Sequence, residues 1–290
     1  MEMFPVNIPL LKSLVSLATV IEAKDPYTGG HTWRVSRYAR TLAEEIGLTQ
    51  DEVFIIHFGS LMHDIGKVSI PDPILNKKDK LTNAEYEIIK KHPETGLMLM
   101  RDHPLGALTL DIVASHHERF DGRGYPRGLA GNNISLFARI VAIADTFDAM
   151  TSARPYQAGM SADAAYQLIA QESGRQFDPL LVSAFLQLGR RGELDHILGH
   201  SSDKRLMHSC PICGPIIVIP MQWQEGEQVI CPKCLGNYDV HLNGWDFEIE
   251  WDKTVNSTWT PQPDVDVINE ITVYAPHELR LSSYFLDIAS

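Results

Sequence analysis

Apolar residues recur with helical spacing from residue 8 to about residue 188, and this periodicity constrains the fold more than any other feature. Two segments open with capping boxes, in which Thr49 is followed by Glu52 and Thr82 by Glu85. Each box predicts that a helix begins there. Further helices are predicted near residues 8–24, 31–46, 107–117, 134–150, 161–172 and 178–188. The prolines of GKVSIPDPILNKKDK (residues 66–80) predict a connecting loop.

The sequence pattern changes after Gly199. Short runs typical of β-strands follow, and they are PIIVIP, EQVICP, WDFEIEW and EITVYA. HELRLSSYFLDIAS then predicts a closing helix or strand. We therefore predict a mainly α protein with a helical domain over residues 1–200 and a small β-rich domain over residues 201–290.

Composition and charge exclude several classes of protein. The chain has 290 residues, 44% of them hydrophobic, which predicts a folded protein with a sizeable core. Its formal net charge of −12 argues against a long nucleic-acid partner, although a small anionic ligand can still be neutralised locally. The apolar stretch IPLLKSLVSLATVIEA contains Lys12, lacks a basic leader and is too short to cross a bilayer. We expect a cytoplasmic protein without a membrane segment.

The four cysteines form two Cys-x-x-Cys pairs, CPICG and CPKCLG. This spacing is typical of a zinc ribbon, in which four thiolates hold one structural zinc ion. The alternatives are four reduced cysteines in a small β core, or a redox role, which a β-rich context disfavours. The acidic surroundings favour a protein partner for this region, or docking on the helical domain. The predicted zinc ligands are Cys210, Cys213, Cys231 and Cys234.

Histidines and aspartates lie at or near the ends of several predicted helices. A single buried histidine is usually a core residue, but imidazoles and carboxylates that converge from separate helices form the metal sites of bundles. Together they suit iron, manganese or zinc, and a carboxylate can bridge two cations. A pair of cations about 3.5–4 Å apart stabilises both oxygens of an in-line phosphoryl displacement. The candidate ligands are His31, His63, Asp64, His92, His116, His117 and Asp145.

Several ordered motifs resemble those of the HD-GYP family of phosphodiesterases, which hydrolyse cyclic di-GMP. The resemblance covers roughly residues 10–188. It implies an HD-type helical bundle. The motifs are YTGGHTWRVSRYA, LMHDIGKVSIPD, KHPETG, HHERFDGRGYPRGLAGNNI, ARIVAIADTFDAMTSARPY and GRQFDPLLVSAFL.

The resemblance also implies a role for each matching residue. His31, His63, Asp64 and Asp145 would surround one metal, and Asp64 would bridge to a second held by His92, His116 and His117. Iron or manganese is the expected metal at both positions. Asp64 and Lys67 are the expected catalytic residues. The expected substrate-binding residues are Lys67, Gly124, Tyr125, Asp148 and Arg154.

Two positions depart from the family pattern. Tyr27 stands where members with three metals have a glutamate, and a phenol is a weaker ligand than a carboxylate at neutral pH. We therefore predict two metals. Gln157 stands where a basic residue is common, which should weaken phosphate binding or shift the preference among dinucleotides.

The expected activity is hydrolysis of cyclic di-GMP to pGpG, to GMP, or to both. One alternative is a receptor that binds a cyclic dinucleotide without hydrolysing it and signals through the zinc ribbon. Another is a phosphodiesterase for a different cyclic dinucleotide, such as cyclic GMP-AMP. A protein partner could bind the tail or the GYP loop. The N-terminal apolar stripe could pair two chains in a homodimer, although packing within its own bundle is the better expectation.

Overall fold

The computed structural model describes residues 2–25, 29–77, 79–152, 159–202, 205–213, 216–219, 223–243, 246–256, 258, 260 and 262–281. Helices dominate the part up to residue 190. They are α1 (Ile8–Glu22), α2 (His31–Glu45), α3 (Gln50–Met62), α4 (Asp72–Leu75), α5 (Asn83–Ile89), α6 (His92–Arg101), α7 (Leu110–Ser115), α8 (Leu136–Thr151), α9 (Ala162–Gln171) and α10 (Pro179–Arg190).

Both predicted capping boxes are confirmed. The Thr49 hydroxyl accepts the Glu52 amide at the start of α3, and Thr82 accepts the Glu85 amide at the start of α5. In each box the glutamate also accepts the amide of the threonine. These reciprocal bonds satisfy amides that a helix N-terminus leaves without partners. The predicted loop over residues 66–80 instead contains part of a 3-10 turn (Ile65–Ser69) and the short helix α4.

The helices pack around one apolar core. Helix α1 buries Leu11 and Val15 in it, so the N-terminal stripe packs within its own bundle as expected. The edges of Tyr38 and Phe185 meet Phe147, with ring centroids 5.1 Å away in both pairs. This core fixes the relative positions of the helix ends that carry the candidate ligands.

The four cysteines belong to a separate small β region, which we call the cysteine module (residues 200–256). One antiparallel sheet contains β2 (His200–Ser202), β3 (Arg205–Ser209) and β4 (Ile216–Val218). A second contains β5 (Gln228–Ile230), β6 (Gly236–Asn243) and β7 (Asp246–Val255). Buried Ile217, Val229 and Tyr238 pack against the cysteines in a core of their own. The prediction of a β-rich region is confirmed for this part of the chain.

The chain returns to the helical domain after the cysteine module. Helix α11 (Val265–Tyr274) packs against α1, and β8 (Glu278–Leu281) pairs antiparallel with β1 (Glu2–Pro5). The prediction of a strand at EITVYA was therefore wrong, because this run lies in α11 and at its end. Val267, Ile268 and Ile271 of α11 join the helical core. The predicted second domain thus includes a segment that packs with the first.

The part of the chain that the structure describes contains no helix long and apolar enough to cross a membrane.

His57 is a buried histidine of α3 that lies apart from the candidate ligands. Only 2% of its surface is exposed, and its ring lies edge-on to Tyr274 of α11, 6.2 Å away. Burial lowers its pKa to about 3; the Ser36 carbonyl opposes this shift, and the positive charges of Arg40 and Arg37 add to it. His57 is therefore neutral in the folded protein near neutral pH.

This shift predicts acid-sensitive stability. Below pH 6.5 the unfolded chain binds a proton at His57, whereas the folded chain does so only near pH 3, so stability falls as the pH falls between these values. The expected loss is on the order of several kcal/mol across that window. In urea unfolding of metal-free protein, His57→Gln should lose less stability than the wild type from pH 7 to 5. Exposed His241 provides the control, and H241Q should keep the wild-type slope. Equal slopes for H57Q and the wild type would contradict the prediction.

Candidate metal centre

Helix ends bring the predicted metal ligands together. His31 is the first residue of α2, and His92 is the first residue of α6. His63 caps the C-terminus of α3, and Asp64 follows it. The pair His116 and His117 directly follows α7, and Asp145 lies in α8.

His31, His63 and Asp64 form the first group of facing donor atoms. Oδ2 of Asp64 lies 3.7 Å from Nε2 of His31 and 3.3 Å from Nε2 of His63. Oδ1 of Asp145 lies 3.4 Å from Nε2 of His31. The four residues that the sequence assigns to one metal therefore converge.

His92, His116 and His117 form the second group. Nε2 of His92 lies 3.1 Å from Nε2 of His116, and the His116 and His117 rings are 4.2 Å apart. The other oxygen of Asp64, Oδ1, lies 3.3 Å from Nε2 of His92. Asp64 thus directs one carboxylate oxygen to each group, which is the arrangement that bridges two cations.

Backbone carbonyls orient several of these imidazoles. Nδ1 of His63 lies 2.6 Å from the Ser60 carbonyl, and Nδ1 of His92 lies 2.8 Å from that of Ile89. Nδ1 of His116 faces the Val113 carbonyl at 3.1 Å. A carbonyl only accepts, so each Nδ1 carries the proton and leaves Nε2 free to bind a metal when the ring is neutral. Nε2 of His63 is buried without a hydrogen bond among the described residues.

Charge differs between the two groups. Burial and neighbouring imidazoles lower the pKa of His117 to about 3 and that of His116 well below its usual value. Burial also lowers the pKa of His63, but the Asp64 and Asp145 carboxylates outweigh it and raise the value to about 9. The first group therefore attracts positive charge, and the second offers neutral nitrogen ligands. This donor set fits divalent cations that accept nitrogen and carboxylate ligands, such as iron, manganese or zinc.

Lys67 lies beside the first group. Its Nζ is 2.6 Å from Oδ2 of Asp64, and its side chain is 21% exposed. Burial opposes the charged form of Asp64, but Lys67 and His63 outweigh it and hold the pKa of that carboxyl well below its usual value. The bridging residue is therefore a carboxylate, and Lys67 lies where it can reach an anionic ligand.

The GYP loop lies over the second group. The Tyr125 ring stacks on His117, 4.8 Å away and inclined by 28°. Buried Glu118 holds the loop, because its carboxylate accepts the amides of Arg127 at 2.7 Å and Leu129 at 3.0 Å. A Cβ at position 124 would lie 2.3 Å from the Arg119 nitrogen, so only glycine fits there. Gly124 and Tyr125 are thus held at the edge of the site.

Tyr86 and Lys90 also lie at this edge, although sequence reasoning missed them. Tyr86 meets Tyr125 edge-on at 6.5 Å and is 47% exposed. Nζ of Lys90 lies 5.8 Å from the centre of the Tyr125 ring. Their i, i+4 spacing in EYEIIKK could have indicated that they act together, because it places both side chains on one face of a helix.

Asp148, a predicted substrate-binding residue, lies beside His31. It is 1% exposed, with Oδ2 2.7 Å from Nδ1 of His31, and it accepts hydrogen bonds from Arg34. These bonds hold it behind His31, on the side of the ring away from Asp64, and its role in substrate binding stays a prediction. Sequence reasoning missed Arg34 because a charged residue beside a ligand gives no sign of being buried. Arg154, Tyr27 and Gln157 lie outside the described residues.

The four cysteine sulfurs also converge. Sγ of Cys213 lies 3.5 Å from both Cys210 and Cys231, and Cys210 lies 3.7 Å from Cys234. A zinc–sulfur bond of about 2.3 Å in a tetrahedron requires sulfurs about 3.8 Å apart, which matches this cluster. The amides of Ile212 and Cys213 hydrogen-bond the Cys210 sulfur, as in a knuckle turn. The cluster therefore fits a single zinc ion.

Comparison with curated proteins gives several relatives. The chain is 44% identical to the cyclic di-GMP phosphodiesterase response regulator RpfG of Xanthomonas campestris, over 66% of this chain and 50% of that protein. It is 39% identical to a cyclic di-GMP phosphodiesterase of Thermotoga maritima, over 69% of this chain and 54% of the relative. It is 40% identical to 3'3'-cGAMP-specific phosphodiesterase 2 of Vibrio cholerae, over 61% of this chain and 34% of the relative.

The chain thus spans about half the length of the first two relatives. Its residues 16–181 match the sequence profile of the HD domain family. That region contains both groups of converging histidines and the aspartate between them. Since the match covers more than half of the 290 residues, the chain belongs to the HD domain family.

Proposed function

We propose that this protein is a metal-dependent phosphodiesterase that hydrolyses cyclic di-GMP. The observation that carries the proposal is the position of Asp64, whose two oxygens lie 3.3 Å from His63 and 3.3 Å from His92, one on each side. Two bound cations would supply positive charge for the attacking and leaving oxygens of a phosphoryl displacement. The names of the relatives and the match to the HD domain family support this activity.

Within this proposal each residue has a chemical task. His31, His63, Asp64 and Asp145 would hold one cation, and His92, His116 and His117 would hold the other together with Asp64. We propose iron or manganese, because nitrogen and carboxylate donors suit both. Lys67 neutralises a phosphate oxygen and supports the departing ribose oxygen. Arg154 provides a second cation for the phosphates.

The edge of the site fits a nucleobase. Tyr125 and Tyr86 offer aromatic surface, and Lys90 adds a positive charge beside both rings. Aromatic stacking accepts every base, so this edge alone does not select guanine over adenine. Cyclic GMP-AMP therefore remains the alternative substrate, supported by the cGAMP-specific relative. We propose pGpG as the first product and GMP as the second.

The activity is tested with purified protein loaded anaerobically with ferrous iron or manganese. Cyclic di-GMP and cyclic GMP-AMP are offered side by side, and products are separated by chromatography. We expect turnover of cyclic di-GMP that chelation abolishes and added manganese restores, because the donors fit divalent cations. Binding without hydrolysis in fully loaded protein would favour the receptor alternative instead. Faster turnover of cyclic GMP-AMP would identify that dinucleotide as the preferred substrate of the same phosphodiester hydrolysis.

We also propose one structural zinc ion in the cysteine module. Four thiolates in a tetrahedron form a closed site, which stabilises folding rather than catalysis. Metal analysis of protein prepared without chelators should give one zinc per chain, and Cys231→Ser should lose it. A zinc content unchanged by this substitution would contradict the assignment. For the whole protein we propose a cytoplasmic location and a protein partner for the cysteine module or the GYP loop, with homodimerisation as a further property to measure.

The packing supports one change to the predicted domain boundaries. We propose a helical catalytic domain over residues 1–200 that also includes α11 and β8, with the cysteine module between them. This differs from the predicted division at residue 200 only in that α11 and β8 now belong to the helical domain.

A further inference from the structure

Helix α2 contacts the first strand of the cysteine module and the helix that follows the module. The module begins with β2 at His200, and the segment after the module forms α11. The same helix begins with His31, a proposed metal ligand. One rigid element therefore connects the module to the metal centre.

Arg34 forms the first connection. This guanidinium is 1% exposed, and its Nη1 donates to the His200 carbonyl at 3.0 Å. Its Nε and Nη2 donate to the two carboxylate oxygens of Asp148. A guanidinium has donors in a fixed plane, so the position of one acceptor constrains the other.

Asp148 continues this connection to the metal centre. Its Oδ2 lies 2.7 Å from Nδ1 of His31, and both side chains are at least 95% buried. The carboxylate fixes the rotation of the ring and directs Nε2 towards Asp64 and Asp145. Carboxylates behind metal-binding histidines commonly set ring orientation and raise metal affinity.

Glu270 of α11 forms the second connection. Its Oε2 accepts the indole N–H of Trp33 at 2.7 Å, and its Oε1 accepts Nη1 of Arg37 at 2.9 Å. Trp33 is 1% exposed, and the Glu270 and Arg37 side chains are each 15% exposed. A charged pair with this little exposure holds its partners more firmly than a surface ion pair.

We propose that helix α2 couples the cysteine module to the metal centre, with Arg34 as the positioning residue that sets His31 through Asp148. This inference rests on the proposed function only in that His31 binds a metal. Disturbing the module shifts α2 or Arg34 and weakens metal binding. Because coupling between two sites is reciprocal, metal binding at the centre in turn stabilises the module.

The first test measures manganese affinity of Arg34→Lys by electron paramagnetic resonance, without substrate. Lysine keeps the charge but cannot hold Asp148 and the His200 carbonyl in one plane. We expect affinity to fall about 10- to 100-fold. In the activity assay, saturating manganese should restore kcat, which a general folding defect would not allow. Unchanged manganese affinity in R34K would overturn the role of Arg34.

The second test disturbs the module in the full chain. Cys231→Ser should weaken manganese binding at the centre at least about fivefold and speed hydrogen exchange over residues 31–37. Glu270→Gln should act in the same direction. Glu45→Gln is the matched control, because Glu45 is the last residue of α2, about 21 Å from His31 along the helix axis, and pairs there with Arg191 at the end of α10.

The outcomes distinguish this inference from the proposed function. If C231S has lost its cysteine-bound metal and both manganese affinity and exchange over residues 31–37 equal those of the wild type, the coupling is wrong. If C231S unfolds as a whole, E270Q decides alone, and its equality with E45Q overturns the coupling. Manganese binding and exchange need no hydrolysis, so a protein that binds cyclic di-GMP without cleaving it still tests the inference.

Discussion

Replacing Asp64 with asparagine should reduce kcat/KM for cyclic di-GMP by roughly 10³-fold or more. The substitution keeps the shape but removes the charge that lies between the two histidine groups. A metal pair contributes several kcal/mol of charge stabilisation in the transition state, and this amount corresponds to such a factor. The pairing with Lys67, Nζ to Oδ2 2.6 Å, is weakened as well. The measurements are steady-state kinetics and metal content per chain, which should fall below two.

Asp79→Asn is the matched control for this substitution. Asp79 is exposed in the loop before α5 and should keep wild-type kinetics and metal content. Activity of D64N within tenfold of the wild type, with two metals retained, would show that Asp64 is not the bridging ligand. Loss of activity with full metal content would instead restrict Asp64 to the chemical step.

The second large effect is expected at Gly66, which follows the His63 and Asp64 pair. A Cβ at this position would lie 1.9 Å from the His92 carbonyl oxygen and 2.6 Å from the Gly96 nitrogen. Both atoms belong to the backbone of α6, so no side-chain rotation relieves the clash. Gly66→Ala should therefore push the start of α6, with His92, away from Asp64.

The expected cost of Gly66→Ala is about 3 kcal/mol or more of folding free energy, because overpacking against backbone cannot relax. Thermal unfolding should show a decrease in Tm of roughly 6–12 °C. Hydrolysis should fall together with manganese affinity, since His92 is displaced. Gly47→Ala is the comparison, because it adds the same methyl group in open space at a φ of +78°, which costs only about 1–2 kcal/mol. Equal effects of G66A and G47A would contradict the close approach.

Local signals explain which parts of the fold the sequence could predict. The capping boxes at Thr49 and Thr82 depend on residues three positions apart, and both helices begin where these boxes predict. The cysteine cluster was predictable because two Cys-x-x-Cys pairs are the sequence pattern of a zinc ribbon, and the four sulfurs do converge. Helix α11 was missed because the β-branched residues of EITVYA favour a strand locally. Its apolar face is covered by α1, a contact more than 200 residues away in sequence.

For the candidate site, too, local motifs were predictive and features that depend on helix packing were not. The motifs gave the ligand types, and the histidines and aspartates they named do converge. The side on which Asp148 lies could not be predicted, since it depends on how α8 faces α2. Arg34 was missed for the same reason, because its burial follows from the packing of β2 against α2.

The pairing of β1 with β8 has a consequence for how this protein can be shortened. The strand at residues 2–5 needs residues 278–281 as its partner, and α11 shields apolar side chains of α1. Topologically, the cysteine module is an inserted domain, because the chain leaves the helical domain to form it and returns to the helical domain afterwards. Cutting the chain at residue 204 would remove α11 and β8 from the helical domain. Deleting only the cysteine module and joining the flanking residues would leave both elements in place.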